Sequence, residues 1–593
     1  MDNRTRRPRA RRLPAATRRL RLCMGIPHRA GLGRRPRPPY LRRNERDHEI
    51  HNRPSALGSK PVDLAALRRE EFGVEETRTV GSLFERACRL NSERAFLLEN
   101  GLRLSGHEAA RACAAAAATL SAYAVKPDDT VAFMCGPSVA HTVSFFAAQR
   151  LGAVCCCLHV KESDQRAVRT LRVVGPRLVV CDADQAERVR ALLAAADASA
   201  AVLVADDLLS TADEHTQADA VARNGDDPAV ILLSSGTTGA PKQVLHTQRT
   251  VLATAAMATP IYGAEGPEDG VVIPMAPSFA AWLHTVLPFL AIGAKLYFEK
   301  AFDAERYVET MDREGLTVAA MVPTLWRAAL PAFNARTPRS LKVAMFSGEP
   351  GTPDLVAALK RLAPRLRSVY LSSEGGCACG IVADESLLGQ PGMAGAAGRV
   401  VEGGALRVVD PVSHDMEPLP AGATGEVAIR GPSLSPGYVG EKNRTARAFL
   451  TGWWRSGDLG FLDDTGLLHL KGRLDNRINS GGIKVHAEEV EAALLHLAEV
   501  RAVAVVGVPD EKWGERIEAH IVPAAPGATA AQLSDAIAHA NLLPKAMRPK
   551  TIHIRDALPT GPTGKLYRKA LRETSGARTT DLPSAGTDKK GVA

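Results

Sequence analysis

Residues 229–242 read Ala-Val-Ile-Leu-Leu-Ser-Ser-Gly-Thr-Thr-Gly-Ala-Pro-Lys, an apolar run that passes directly into a loop of small and hydroxyl residues. The apolar run predicts a buried β-strand. Two glycines in the loop let the backbone turn tightly and bring its N–H groups close to phosphate oxygens. Hydroxyl groups and a lysine ammonium add further donors for a polyphosphate. The candidate phosphate-binding residues are Ser234, Ser235, Gly236, Thr237, Thr238, Gly239 and Lys242.

This loop differs from the GxxxxGK[ST] phosphate loop, because that spacing is absent. A loop rich in Ser, Thr and Gly can also be a flexible surface connection. The loop alone therefore leaves both interpretations open, and the rest of the chain has to separate them.

Short apolar runs alternate with Ala/Leu/Arg-rich helical stretches such as 184–196, a pattern typical of layered α/β architecture with buried parallel sheets. The pattern predicts an α/β fold, with a large N-terminal domain of layered α/β subdomains and mostly parallel sheets. A small α+β C-terminal lid domain is expected after it. The apolar runs are 129–136, 177–183, 200–207, 229–235, 270–277, 318–323, 342–348 and 368–373.

The predicted boundaries follow changes in composition along the chain. They are a disordered Arg-rich extension at 1–60, the large domain at 61–471, a hinge at 472–476, the lid domain at 477–575 and a disordered tail at 576–593. Within the lid domain, helices are expected over 487–496 and 529–540, and strands over 500–509 and 517–523.

The net charge of +10 comes from one end of the chain. Residues 1–60 contain 18 basic and four acidic residues, a net charge of +14, which leaves −4 for the remainder. Aromatic residues that could stack on bases do not alternate with the basic residues of this extension, which disfavours binding of nucleic acid. We therefore favour a solvated tail, a targeting extension or translated upstream sequence over a segment that binds nucleic acid or anionic lipid. We expect no specific nucleic-acid partner, and a monomer or homodimer.

The cysteine and hydropathy patterns favour a cytoplasmic protein. The apolar stretch 283–298 contains His284 and Lys295, so no membrane span is expected, and no signal-peptide core is found. Ten scattered cysteines show no disulfide framework, which suits a reducing compartment. Cysteines 155–157 are neighbours on a predicted strand and would point to opposite faces, so we expect core residues rather than a metal site.

Four further motifs accompany the loop. Glu374 offers a hard oxygen ligand suited to a cation that bridges phosphates. Asp458, an acceptor with two oxygens, follows a glycine that could equally form an Asx-type turn. The motifs are Tyr370-Leu371-Ser372-Ser373-Glu374 after Gly348-Glu349-Pro350, then Trp454-Arg455-Ser456-Gly457-Asp458, then Gly472-Arg473-Leu474-Asp475 with Ser480-Gly481-Gly482, and finally Pro559-Thr560-Gly561-Pro562-Thr563-Gly564-Lys565.

These motifs, in this order, resemble those of the superfamily that includes acyl-CoA synthetases, nonribosomal-peptide adenylation domains and beetle luciferases. The resemblance covers roughly residues 74–571. Within the superfamily, the chain is most similar in type to an acyl-CoA or aryl-CoA ligase. The resemblance implies ATP-dependent activation of a carboxylic acid to acyl-AMP with release of pyrophosphate, followed by transfer of the acyl group to coenzyme A. ATP, Mg²⁺ and coenzyme A are the implied cofactors.

The resemblance also implies roles for the nucleotide site. Tyr370 would stack on adenine beside Gly348, Glu349 and Pro350, and Ser373 would touch the α-phosphate. Asp458 would accept the ribose hydroxyls, and Arg473 would contact ribose or phosphate. Thr238 and Glu374 are the implied Mg²⁺ ligands.

Further implied roles concern the second half of the reaction. Lys565 would bridge the carboxylate and the α-phosphate, and with Thr238 and Glu374 it completes the candidate catalytic set. Asp475 would absorb the rotation between domains. Gly481 and Gly482 would let the pantetheine arm approach the backbone.

The sequence departs from the family at three places, one at the exit of the phosphate loop and two near the expected acyl pocket and its tunnel. Gln243 replaces the usual Gly, Leu371 replaces the Gly of Tyr-Gly-x-Thr-Glu and could shorten the cavity, and residues 274–277 lack the usual His. The pocket candidates indicate a mainly apolar acyl group, with aryl and aliphatic acids both open. These candidates are Phe279, Trp282, His284, Ser347, Leu371 and Cys377.

Two alternatives stay open. An acyl-AMP ligase could load a phosphopantetheine carrier protein instead of coenzyme A, because the first half-reaction is the same. A non-catalytic nucleotide-binding protein with a basic interaction tail is disfavoured, because all the charged residues that the chemistry needs are present.

We predict that Lys565→Ala abolishes acyl-AMP formation and spares thioester formation from supplied acyl-AMP, because the ammonium is needed only where two anions meet. The two half-reactions would be assayed separately, with Lys569→Ala as the control. Equal loss of both half-reactions in the Lys565 variant would contradict this division of roles.

Overall fold

The computed structural model of the protein describes residues 79–210, 218–234, 242–559 and 566–575, with backbone alone at Ser210 and at 377–382. Its strands, in chain order, are β1 Ala95–Glu99, β2 Leu102–Ser105, β3 Thr130–Met134, β4 Val154–Cys157, β5 Leu178–Cys181, β6 Ala201–Val204, β7 Pro228–Ser234, β8 Lys242–Thr247, β9 Gly270–Ile273, β10 Lys295–Phe298, β11 Val318–Met321, β12 Val343–Ser347, β13 Arg365–Ser372, β14 Gly376–Asp384, β15 Arg399–Val400, β16 Ala405–Val409, β17 Gly425–Arg430, β18 Gly437–Tyr438, β19 Phe449–Leu450, β20 Trp453–Leu462, β21 Leu468–Arg473, β22 Arg477–Ser480, β23 Ile483–His486, β24 Val500–Asp510, β25 Gly514–Pro523 and β26 Thr551–Ile554.

The helices, in the same order, are α1 Val80–Leu90, α2 Gly106–Ala122, α3 Val139–Arg150, α4 Asp164–Val174, α5 Ala186–Ala195, α6 Ala205–Ser210, α7 Gln248–Tyr262, α8 Ala280–Ala291, α9 Ala304–Glu314, α10 Pro323–Ala335, α11 Pro353–Leu362, α12 Glu385–Leu388, α13 Lys442–Ala448, α14 Ala487–Leu494, α15 Ala530–Ala540 and α16 Arg568–Thr574. Short 3-10 helices lie at Ala183–Gln185, Leu474–Asn476 and Lys545–Met547. Each of the eight apolar runs singled out in the sequence overlaps a strand.

Two large sheets have parallel centres. One has the strand order β15-β14-β13-β12-β11-β9-β10-β1-β2, and the other β18-β8-β7-β4-β3-β5-β6. Their inner strands pair in parallel, and so does the edge strand β6, whereas β2, β14 and β15 in the first sheet and β8 and β18 in the second pair antiparallel. The helices between successive parallel strands provide the crossover connections that parallel pairing requires.

A third sheet, β16-β17-β20-β19 with β21 on β20, is antiparallel throughout. The sequence pattern did not indicate this sheet. A fourth, C-terminal sheet has the order β23-β22-β25-β24, with β26 pairing in parallel on β25. One face of the C-terminal sheet packs on α14 and α15, as the α+β pattern at the end of the chain predicts.

Local capping signals explain where several helices begin. The Ser105 hydroxyl accepts from the backbone N–H of Glu108, and the Glu108 carboxylate accepts from the Ser105 N–H at 2.8 Å. Thr529 and Gln532 form the same reciprocal pair, so the helix expected from residue 529 begins at Ala530 with Thr529 as its cap. Each pair satisfies two backbone donors that the first turn leaves open.

The strand β4 lies in the middle of a parallel sheet and is fully buried. Cys155 and Cys157 contribute to one hydrophobic cluster and Cys156 to another, on the opposite side of the sheet. All three thiols are free, and burial raises the pKa of Cys156 to about 12. The prediction of core cysteines is therefore confirmed.

Among the helices that the structure describes, none is both long and apolar enough to cross a bilayer.

Candidate active site

The two ends of the glycine-rich loop are brought side by side. Ser234 ends β7 and Lys242 begins β8, and these two residues face each other in the antiparallel register. The loop residues Ser235, Gly236, Thr237, Thr238 and Gly239 lie outside the described residues. Among the candidate phosphate-binding residues, Lys242 is the cation, and the structure describes its position at this edge of the sheet.

Lys242 meets the second motif through Glu374. Its Nζ lies 3.6 Å from Glu374 Oε1. The Glu374 carboxylate is buried, and its Oε1 also accepts a hydrogen bond of 3.0 Å from the Tyr438 hydroxyl. A buried, anionic oxygen donor beside a lysine is a suitable ligand for Mg²⁺ among phosphates, so the described part of the proposed cation site fits the metal.

The second motif also meets the third and fourth. The hydroxyl of Tyr370, at the end of β13, donates to Oδ2 of Asp458 on β20. Arg473, at the end of β21, donates from Nη1 to Asp458 Oδ1 at 2.8 Å. One carboxylate thus joins the nine-stranded sheet to the antiparallel sheet.

Burial and the neighbouring donors have opposite effects on the pKa of Asp458. Burial raises the pKa of Asp458, and Arg473 and the Tyr370 hydrogen bond partly offset that rise. Glu374 raises the pKa of Asp458 further, which places the two carboxylates within each other's field. Burial and Asp458 together raise the pKa of the Tyr370 phenol well above its usual value, so it acts as a donor.

A second carboxylate supports the part of β20 that directly precedes Asp458. Gly457 has a φ of +72°, and its N–H donates to Glu426 Oε1 at 2.9 Å. Arg455 Nε donates to Glu426 Oε2 at 2.7 Å, and both side chains are buried. Sequence reasoning missed Glu426, because it lies on a different strand, 32 positions before Asp458 in the numbering.

The turn Gly348-Glu349-Pro350 lies at the same sheet edge as Tyr370. Ser347 pairs with Val369 in the parallel register of β12 and β13, so Gly348 and Tyr370 follow side by side. Gly348 has a φ of +85°. Glu349 accepts a hydrogen bond of 3.0 Å from the Thr324 hydroxyl and is exposed, as is Pro350. The backbone of Ser373 lies in the adjoining turn, and its carbonyl accepts from His246 Nε2 at 2.8 Å.

The predicted pocket residues do not share one environment. Phe279 caps α8, is half-buried and stacks on His159 with ring centroids 5.1 Å apart. Ser347 and Leu371 are half-buried, and the Cys377 side chain lies outside the described residues. Trp282 and His284 are buried in the core, where burial lowers the pKa of His284 to about 3.

Trp282 also lines a small cavity beneath β7. The other lining residues belong to α3, β4, β7 and the start of α8, and they are mainly apolar. The Trp282 indole N–H and the Ser278 hydroxyl are buried without a hydrogen-bond partner among the described residues. This cavity therefore has an apolar wall with two unused polar atoms.

The residues of the predicted hinge, 472–476, contact side chains of the C-terminal part of the chain. Arg473 is the N-cap of the short 3-10 helix that contains Asp475. The backbone carbonyl of Asp475 accepts a hydrogen bond of 3.4 Å from Arg572 Nη2. Gly472 has a φ of +137°, and a Cβ added to it would collide with the Glu488 carboxylate. Glu488 in turn accepts from Asn476 Nδ2 at 2.6 Å.

The two glycines of the fourth motif form the turn between β22 and β23. Gly481 and Gly482 have φ values of +61° and +83° and are exposed on one side. The Gly481 N–H donates to the carbonyl of Trp513 at 2.7 Å, and the exposed Trp513 ring lies against Gly481. Lys565 lies outside the described residues.

Sequence reasoning also missed Trp513. Its ring has Lys512 Nζ at 5.2 Å and Lys550 Nζ at 5.3 Å from the centroid. In the sequence, Trp513 is an aromatic residue among charged residues between two predicted strands. This pattern is too common to indicate a functional residue by itself.

Comparison with known families agrees with these contacts. The sequence profile of the AMP-binding enzyme family matches residues 84–439, and the profile of the AMP-binding enzyme C-terminal domain matches residues 489–565. The chain belongs to the AMP-binding enzyme family. These two matches cover three of the five motifs, and the third and fourth motifs lie between them; the end of the second profile falls on Lys565.

Curated relatives of this family member are coenzyme A ligases. A long-chain-fatty-acid–CoA ligase of Mycobacterium tuberculosis is 29% identical over 461 residues, which is 77% of this chain and 90% of the relative. A feruloyl-CoA synthase of Amycolatopsis sp is 28% identical over 84% of this chain and 99% of the relative. The chain thus spans nearly the whole length of these enzymes.

Solved structures show the same fold. ATP-bound MatB from Rhodopseudomonas palustris is 25% identical with a TM-score of 0.74, over 83% of this chain and 98% of that one. The o-succinylbenzoate CoA synthetase of Bacillus subtilis is 22% identical with a TM-score of 0.76, over 84% and 99%. The predictions of the family, the fold class and an AMP-forming ligase that uses ATP, Mg²⁺ and coenzyme A are confirmed.

We predict that Asp458→Asn raises the dissociation constant for ATP by about tenfold or more, because it removes a charged acceptor in a buried site. Calorimetric titration of ATP into each protein measures this. The matched control is Asp464→Asn, an exposed aspartate beyond the same strand. Similar ATP affinities in the two variants would contradict the assignment.

Proposed function

We propose that this enzyme activates an apolar carboxylic acid as its acyl-AMP and transfers the acyl group to coenzyme A, with the residue roles given below. The observation that carries the proposal is the meeting of four distant motifs. Lys242 contacts Glu374, and Asp458 joins Tyr370 to Arg473. Such a set of charges and a ring suits one nucleotide triphosphate.

In the first step, an oxygen of the carboxylate attacks the α-phosphorus of ATP, and the bond to the β-phosphate breaks to release pyrophosphate. No proton has to move, so catalysis depends on positioning and on neutralising charge. Lys242 would hold the leaving phosphates, and Asp458 would fix the ribose. Thr238 and Glu374 would hold Mg²⁺, which when bound neutralises phosphate charge.

Lys565 would lie between the attacking carboxylate and the α-phosphate. Two anions approach each other there, and an ammonium offsets their repulsion. In the second step the thiol attacks the acyl carbonyl, AMP leaves, and this lysine is no longer needed. We propose that Asp475 is the hinge that exchanges Lys565 for the Gly481-Gly482 turn.

The Gly481-Gly482 turn would then guide the pantetheine arm, and Trp513 would receive the adenine of coenzyme A. An exposed ring offers a stacking surface for a base. Lys512 and Lys550 lie 5.2 and 5.3 Å from that ring and would attract the phosphates of coenzyme A. The aromatic ring and the two cations thus match the two chemical parts of this nucleotide.

The acid itself is proposed to be apolar. Phe279 and Leu371 are apolar pocket candidates with half-buried side chains, and the cavity beneath β7 is lined mainly by apolar residues. A long aliphatic acid and an aromatic acid are named for the two relatives described above. Both acids have a mainly apolar body, which is consistent with this choice.

Pyrophosphate exchange into ATP across a panel of acids tests the proposal. The panel would include medium and long fatty acids, benzoate and ferulate, with malonate and succinate as polar controls. Apolar acids are expected to stimulate exchange, and the polar acids are not. ATP binding without acid-dependent exchange would support the non-catalytic alternative, and a preference for diacids would overturn the proposed substrate class.

The same reactions would then be offered coenzyme A or a phosphopantetheine carrier protein. Formation of the CoA thioester supports the proposed acceptor. Formation of carrier-bound acyl groups alone would replace it with the carrier-loading alternative.

We predict that Trp513→Ala raises the KM for coenzyme A by about tenfold, because stacking on a base is lost. Pyrophosphate exchange should be unchanged, since that step precedes coenzyme A. Tyr123→Ala, which removes an exposed aromatic residue elsewhere, is the control. An unchanged KM for coenzyme A in the Trp513 variant would remove this residue from the site.

A further inference from the structure

The segment 433–438 surrounds the turn that carries Glu374. The Ser433 hydroxyl donates to the Gly375 carbonyl at 2.6 Å, and the Ser435 N–H donates to the Glu374 carbonyl at 2.8 Å. The Tyr438 hydroxyl donates to Glu374 Oε1 at 3.0 Å. Three hydrogen bonds from one short segment therefore fix the backbone at Glu374 and Gly375 and the Glu374 carboxylate.

The segment is itself held against β8, the strand that begins with Lys242. The Ser435 hydroxyl donates to the Leu245 carbonyl at 2.6 Å, and Tyr438 pairs with Val244 in the antiparallel register of β18 and β8. The Tyr438 ring packs edge-on against Phe449, with centroids 5.6 Å apart. The phenol therefore has a fixed direction.

A glycine makes this arrangement possible. Gly437 has a φ of +142°, and a Cβ added to it would collide with the side chain of Thr445. Thr445 accepts from the Tyr438 N–H at 3.0 Å, so the residue that excludes a side chain at 437 also holds the next residue. Only glycine combines this backbone angle with that close approach.

The Tyr438 hydroxyl and the Lys242 ammonium compete for the same carboxylate oxygen of Glu374. Lys242 Nζ lies 3.6 Å from Glu374 Oε1 and 5.6 Å from the centroid of the Tyr438 ring. Both the hydroxyl and the ammonium thus approach the same carboxylate oxygen. At 3.6 Å the lysine is beyond a normal charge-assisted hydrogen bond, which is about 2.8 Å long. The phenol takes the short contact instead.

Tyr438 is suited to remain a donor. A phenol is protonated at neutral pH, so its hydroxyl can donate to the Glu374 carboxylate, which is an acceptor. The side chain is also 7% exposed, which keeps water from replacing it at Glu374.

We propose that Tyr438 is a positioning residue for the cation site: its hydroxyl holds Glu374 Oε1, directs Oε2 toward the metal and prevents Lys242 from closing onto the carboxylate. Lys242 is then kept for the phosphates and Glu374 for the cation. This inference rests on the proposed function, in which Glu374 binds Mg²⁺. Without the hydroxyl, the lysine and the glutamate would neutralise each other.

The test is Tyr438→Phe, which keeps the ring and removes the hydroxyl. Binding of Mn²⁺ in the presence of a non-hydrolysable ATP analogue would be followed by electron paramagnetic resonance. We expect the Mn²⁺ dissociation constant to rise about tenfold, as for loss of a hydrogen bond to a charged group. The Mg²⁺ concentration for half-maximal pyrophosphate exchange should rise by a similar factor.

Two further variants make the result specific. Tyr262→Phe removes another buried phenol hydroxyl, which lies 2.9 Å from the Thr285 hydroxyl, and should leave Mn²⁺ binding unchanged. In Glu374→Gln, the additional change Tyr438→Phe should have little further effect, because the residue it positions is already altered.

Each outcome separates the proposed function from the positioning role. If Glu374→Gln weakens Mn²⁺ binding and Tyr438→Phe does not, the positioning role of Tyr438 is overturned while the proposed function stands. If Glu374→Gln leaves Mn²⁺ binding unchanged, the cation role of Glu374 fails and the inference fails with it. Equal effects of Tyr438→Phe and Tyr262→Phe would indicate a general packing defect and overturn the inference.

Discussion

The buried carboxylate of Asp458 is the interaction on which the rest of the site depends. It accepts hydrogen bonds from Tyr370, near the end of a strand of the nine-stranded sheet, and from Arg473, on the strand that leads to the predicted hinge. A buried carboxylate is costly unless it is paired, and both partners lower the pKa of Asp458 against the effect of burial. The pairing therefore links two sheets and brings together three side chains that we propose for the nucleotide site.

Much of the fold follows from the sequence because parallel strands leave a clear pattern. Their short apolar runs are buried on both faces, and the functional loops follow their carboxyl ends. This is why the amino-acid pattern alone assigns Ser234, Gly348 and Tyr370 to the ends of strands. The antiparallel sheet was missed because its strands are interrupted by glycines and polar residues, as in Trp453–Leu462, and show no sustained alternation.

Side-chain environment was harder to predict than backbone position. Trp282 and His284 were named as pocket candidates from their position relative to the motifs; both side chains are buried, and Trp282 lines the cavity beneath β7. Glu426 and Tyr438 were overlooked because their importance comes from contacts with residues 31 and 64 positions away. A single sequence carries no signal for such pairs, whereas the loop residues are recognisable from composition alone.

Gly472 has a further meaning for how this enzyme can change shape. The missing side chain leaves a notch on the last strand before the predicted hinge, and the carboxylate of Glu488 occupies it. A methyl group there would displace that carboxylate, and the φ of +137° would be strained for any residue with a side chain. The absence of one carbon atom thus lets the two sides of the predicted hinge approach each other closely.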